Sequence, residues 1–144
     1  MKKSLILILI IIAVIIAVGI LNYKEYEISQ IDLKNFNLTY EEYNKDNLNG
    51  LDVTTVMNKA KSNNEKYEIP KDENGIYILD DEYSVEIYIT MIINGETYRM
   101  ETFSQETLSS FIRFFGDVSF KCTNISYHEK NGRVASMTFE ATEY

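Results

Sequence analysis

Tryptophan is absent from this 144-residue chain, and proline, cysteine and histidine each occur once. With Cys122 alone there is no internal disulfide, and one Cys with one His cannot supply the nitrogen and sulfur ligands of a zinc site within a single chain. The six glycines stand apart, so there is no Gly-rich phosphate loop and no Gly-x-Ser-x-Gly elbow, and no paired Ser and Lys arrangement appears. Arginine is also scarce. Arg99, Arg113 and Arg133 are scattered through a chain of net charge −8. Phosphate contacts need clustered Lys and Arg, so nucleic acid is excluded as an expected partner and anionic headgroups would be repelled.

One long apolar run is present. Lys2 and Lys3 precede seventeen residues from Leu5 to Leu21 without a charge, about 26 Å of helix at ~1.5 Å per residue against a hydrocarbon core of ~30 Å. A secretory signal also starts basic and apolar, and Ala17-Val18-Gly19 offers small residues for cleavage. Its apolar stretch is usually shorter, however, and a cut after Gly19 would strand Ile20 and Leu21 at the new terminus. No Cys near the end of the run could carry a lipid. The expectation is a retained transmembrane anchor over residues 1–21, in contact with membrane lipid through residues 5–21. The two lysines place the N-terminus in the cytoplasm and the rest outside it. Residues 22–35 mix charge and apolar character without a clean period and read as a juxtamembrane stalk, a continuation of the anchor helix.

Residues 36–144 have the length of one domain. Phe36, Leu38 and Tyr40 alternate with polar neighbours, suggesting a short strand. Asp52 is a candidate N-cap for a helix whose Val53, Val56, Met57 and Ala60 share one face, and which the poor helix formers Ser62-Asn63-Asn64 end. Alternation from Val85 to Ile93, then Asn94-Gly95, then alternation to Phe103 predicts a hairpin closed by a type I′ turn. Ser104 caps a second helix with an apolar stripe at Leu108, Phe111, Ile112 and Phe115, stopped by Gly116. A second hairpin, Val118 to His128 and Arg133 to Thr142, turns at Asn131-Gly132, with Ala135, Met137, Phe139 and Ala141 on one face. The class is α+β: an N-terminal transmembrane helix, then an antiparallel sheet of four or five strands with two helices packed on one face.

No residue is expected to be catalytic, cofactor-binding or metal-ligating. Cys122 and His128 are the residue types of a nucleophile and its base, but six residues along one strand separate them by roughly 20 Å. Cys122 reads as a small buried hydrophobe and His128 as an exposed residue near a turn. Asp80-Asp81-Glu82, with Asp72 and Glu73, is the densest carboxylate cluster. It lacks the ligand spacing of a calcium loop and reads as a solvated acidic loop.

The basic start and single span, the sequence Gly50-x-Asp52-Val53 leading to Met57-Asn58-Lys59, and the tail Phe120-Lys121-Cys122-Thr123 with Tyr127-His128 together carry a resemblance over most of the chain. It resembles small, membrane-anchored extracytoplasmic proteins of clostridia and related low-GC Gram-positive anaerobes. The resemblance implies a compartment and no particular chemistry. Prepilins also begin with an apolar helix, but a Gly-Phe processing site before the run and a Glu near its start are both missing here. The expected function is a non-catalytic interaction or scaffold module, with a protein partner at the face or edge of the sheet. The rivals are a cell-envelope enzyme using carboxylates, which requires a pocket holding two of them about 5–9.5 Å apart, and a subunit of a pilus-like or secretion membrane complex.

Overall fold

The computed structural model describes residues 2–143. Helix α1 runs Lys2–Glu41. The chain divides into two compact units, one ending at Asn35 and the other starting at Phe36. In the first, every side chain from Ile6 to Leu21 is exposed, and the helix is long and apolar enough to cross a membrane. Ile and Val are mediocre helix formers in water; in lipid a helix is the form that satisfies every backbone N–H and C=O within the segment. The side chains of Lys2 and Lys3, on which the orientation argument rests, lie outside those described.

The second unit begins with the last turns of α1, where a strand was expected. Phe36 and Tyr40 are spaced by four as well as by two, and in the helix their rings pack 5.2 Å apart. Tyr40 is buried while Leu38 is exposed. Extending an existing helix costs no new nucleation, which decides between the two spacings.

A five-stranded sheet follows, in the order β1-β4-β5-β2-β3. Its strands are β1 (Leu48–Asn49), β2 (Glu86–Thr90), β3 (Thr97–Arg99), β4 (Ser119–Tyr127) and β5 (Val134–Glu143), with α2 (Gly50–Lys66) and α3 (Gln105–Phe115) between them. The sheet is mostly antiparallel, as expected, but β2 and β5 pair in parallel. The β2–β3 and β4–β5 hairpins meet through their first and last strands, and those two run the same way. Ile87, Ile89, Phe120, Met137, Phe139 and Ala141 join Val53, Val56, Met57 and Ala60 of α2 and Phe111 of α3 in one core. The opposite face carries Tyr88, Thr90, Thr138 and Glu140, all partly exposed.

Helix α2 starts earlier than expected. Asn49 is the N-cap, its Oδ1 accepting the N–H of Asp52 at 2.9 Å, while Asp52 Oδ2 accepts the N–H of Asn49 at 3.0 Å. Asp52 is thus the return arm of a capping box. Gly50 is required, because a Cβ there would collide with the Phe115 carbonyl at the end of α3. The helix also runs past Asn64, which is fully buried. Its amide donates to the Val85 carbonyl at 2.9 Å and accepts the Val85 N–H at 2.8 Å, so a residue that is a poor helix former carries α2 into contact with the start of β2.

Both Asn-Gly hairpins form, but neither closes as a type I′ turn. Gly95 and Gly132 have φ of 66° and 72°, whereas Asn94 and Asn131 are not in the left-handed region. Residues 92–95 make a four-residue loop, with the Met91 N–H on the Glu96 carbonyl at 3.0 Å and the Gly95 N–H on the Met91 carbonyl at 2.9 Å. Each Asn accepts, on Oδ1, the N–H two residues on, the local bond for which Asn is favoured in turns.

Candidate functional site

Helix α3 is capped as expected: Ser104 Oγ accepts the Thr107 N–H. Its stripe is wider than the core can absorb. Phe111 is buried and Leu108 and Phe115 are partly so, but Phe114 is 68% exposed. Across from it the tip of the β2–β3 hairpin carries Ile92 and Ile93, the latter 70% exposed. Between these elements lies a hollow of about 380 Å³, lined by Met91, Ile93, Phe103, Phe111 and Phe114 with Tyr98 and Thr102. Its floor is a chain of rings: Tyr98 to Phe103 at 6.4 Å, Phe103 to Phe111 at 5.1 Å, and Phe111 to Phe115 at 5.4 Å. At one end Asn94 Nδ2 donates to Tyr98 Oη and to Glu96 Oε2, each at 2.8 Å, and Tyr98 Oη donates to Glu96 Oε2 at 2.6 Å. The hollow can enclose an apolar side chain and offers one polar knot at its lip.

A second, shallower hollow of about 520 Å³ lies between the last turns of α1 and α2, lined by Tyr40, Thr55, Asn58 and Lys59 among others. Lys59 is already engaged, with Glu42 Oε1 at 2.6 Å and Tyr43 Oη at 3.2 Å. It fastens the two helices.

The residues weighed in the sequence lie elsewhere. His128 is buried, 8% exposed, and its Nε2 donates to the Ser84 carbonyl at 2.8 Å; the exposed placement expected for it is corrected, because the β4–β5 loop folds against residues 82–84. Cys122 is half-buried, and burial pushes its thiol up, away from the thiolate that a nucleophile needs. The acidic segment is occupied by its own backbone. Asp72 Oδ1 accepts the N–H groups of Ile76 and Asn74, which hold its carboxyl below the usual range. Burial works against ionisation of Asp80, but N–H groups of Ser84, Tyr83 and Glu82 on its Oδ1 outweigh it and hold that carboxyl down as well. Among the described residues no group of three His, Cys, Asp or Glu is placed to hold a metal ion.

Sequence reasoning missed Glu86. In the alternating pattern it reads as a solvated partner of Val85 and Ile87, yet it is fully buried, paired with Arg99 of β3, which also reaches Glu101 at 3.2 Å. The available signal was the neighbouring pattern Arg99-x-Glu101, which puts a cation at the end of the adjoining strand and a second acid in the turn that follows it. Neither Glu86 nor Glu101 lines either of the two hollows described.

Compared with protein-family models, with curated proteins and with solved structures, the chain finds no match.

Proposed function

We propose that this is a single-pass, membrane-anchored protein that presents residues 36–144 outside the cytoplasm as a non-catalytic interaction module, with the aromatic hollow as its working surface. The partner is a protein that inserts an apolar side chain between Ile93 and Phe114. One observation carries the reading: large apolar side chains, Ile93 and Phe114 the most exposed of them, stand around a ready-made apolar hollow. Burying such a side chain is worth about 1.5–3 kcal/mol, and aromatic residues and Met are enriched at the centres of protein interfaces. The polar, hydroxyl-bearing face of the sheet offers no comparable gain. The sheet edges, where a partner was first expected, are two- and three-residue strands, with little ladder to extend.

The test uses the full chain in its native membrane, with a photo-reactive side chain in place of Phe114. The expected result is that the protein stays in the membrane pellet in alkaline carbonate, is digested by protease added from outside, and forms one discrete protein adduct that is lost in Ile93→Ser. Release by carbonate, protection from external protease, or adducts to lipid alone would overturn it.

A further inference from the structure

We propose that the Glu86 carboxyl holds a proton that it donates toward Glu101 beneath Arg99, and that this proton pins the segment from β3 through the 3₁₀ turn Met100–Thr102 against β2. The geometry leaves little alternative for four carboxyl oxygens. Glu86 Oε2 takes Arg99 Nη2, and Glu86 Oε1 accepts the Met100 N–H at 3.4 Å. Glu101 Oε1 accepts the Tyr77 N–H at 3.0 Å and the same Arg99 Nη2 at 3.2 Å. Glu101 Oε2 is buried with no donor. Two carboxylates on one guanidinium nitrogen in a low-dielectric setting repel each other, and a proton between them turns repulsion into a hydrogen bond.

The surrounding charges are few. Lys61 of α2 lies within the field of both carboxyls, but burial lowers its own pKa and its Nζ is spent on the Phe103 carbonyl at 2.6 Å. Glu65 and Lys71 face Lys61 rather than the pair, and Tyr88 sits beside Glu86 and Arg99. Burial, with help from the Glu101 charge, pushes Glu86 up to about 7 against the pull of Arg99. The folded value is then raised above the unfolded value of ~4.3, so the pair's contribution is complete at acid pH and is lost as pH rises through about 7. Thr102 and Phe103 belong to the wall of the hollow. Loss of the proton therefore loosens that wall, a consequence that rests on the hollow being the working surface, as the proton itself does not.

The experiment is a titration of the full chain in detergent micelles, with glutamate carboxyl carbons labelled for NMR. One carboxyl resonance is expected to titrate near pH 7 and to vanish in Glu86→Gln. A wild type in which every resonance titrates between about 3.5 and 5 overturns the proposal without needing a variant that folds. Thermal unfolding is the second measurement. From pH 6 to 8.5 the wild-type midpoint is expected to fall by roughly 5 °C and that of Glu86→Gln to stay nearly level; equal falls would sink the idea. Failure of the Phe114 adduct alone would remove the hollow and leave the titration unchanged.

Discussion

Residues 91–96 and 128–133 are built alike. Each is a four-residue loop, closed by the first residue's N–H on the last residue's carbonyl, at 3.0 Å and 2.8 Å, with a glycine of positive φ at the same place. Their surroundings differ. The 128–133 loop is fastened on every side: His128 to Ser84, Asn131 Nδ2 to the Glu82 carbonyl at 2.8 Å, and the Gly132 carbonyl to Asn37 Nδ2 at 2.9 Å. The Arg133 guanidinium lies 3.7 Å from the Phe36 ring centroid and 5.0 Å and 5.3 Å from those of Tyr67 and Tyr83, which stack on each other. Among the described residues, the 91–96 loop makes hydrogen bonds only to its own hairpin, and it holds Ile92 and Ile93 out to solvent. One backbone solution thus serves two ends, one closing the fold and the other presenting a surface, and the difference lies entirely in the side chains that meet it.

The largest effect expected from breaking this contrast is at Arg133. Arg133→Ala removes a cation from among three rings together with its bond to Tyr67 Oη at 3.3 Å. A desolvated cation–π contact of this kind is worth about 2 kcal/mol, and a loss of that size is expected in the denaturant midpoint. An unchanged midpoint would mean that the loop is held by its backbone alone.

The next effect probes the shared geometry. Gly95→Ala and Gly132→Ala each force a Cβ into the left-handed region, at about 1–2 kcal/mol apiece. Similar costs at both sites are expected from chemical denaturation. A negligible cost at residue 95 would show that the hollow-side loop can adopt another turn, and would end the comparison.

The local signals in the sequence were legible where physics is local. The apolar run is helical, the α2 face Val53, Val56, Met57 and Ala60 and the Ser104 cap form as read, and both Asn-Gly hairpins form, though without the type I′ turn expected at Asn94-Gly95. What was misread depended on distant partners. Asn64 looks like a helix stop until Val85 arrives to use its amide. Glu86 looks solvated until Arg99 and Glu101 meet it across the strand pair. His128 looks exposed until residues 82–84 fold over it, and the parallel β2–β5 pair follows from which hairpin edges meet. The hollow was half visible: Phe111 and Phe115 were placed on the core stripe, but nothing local says that Phe114, one step off it, faces the exposed hairpin tip.

The smallest stability effect is expected at that tip, and it sharpens the contrast most. Ile93 is 70% exposed, so Ile93→Ser removes little packing and should leave the unfolding free energy within about 0.5 kcal/mol of wild type. If the tip exists to be covered, the same substitution should cut capture by the photo-reactive group at position 114 severalfold, whereas Lys130→Ser on the fastened loop should not. Lys130 pairs with Glu82 but is more than half exposed, which makes it the matched control for a polar tip. Loss of capture without loss of stability separates a surface kept apolar for a partner from one that is apolar for the fold. Equal capture in Ile93→Ser would assign the exposed isoleucines to neither role and remove the functional half of the comparison.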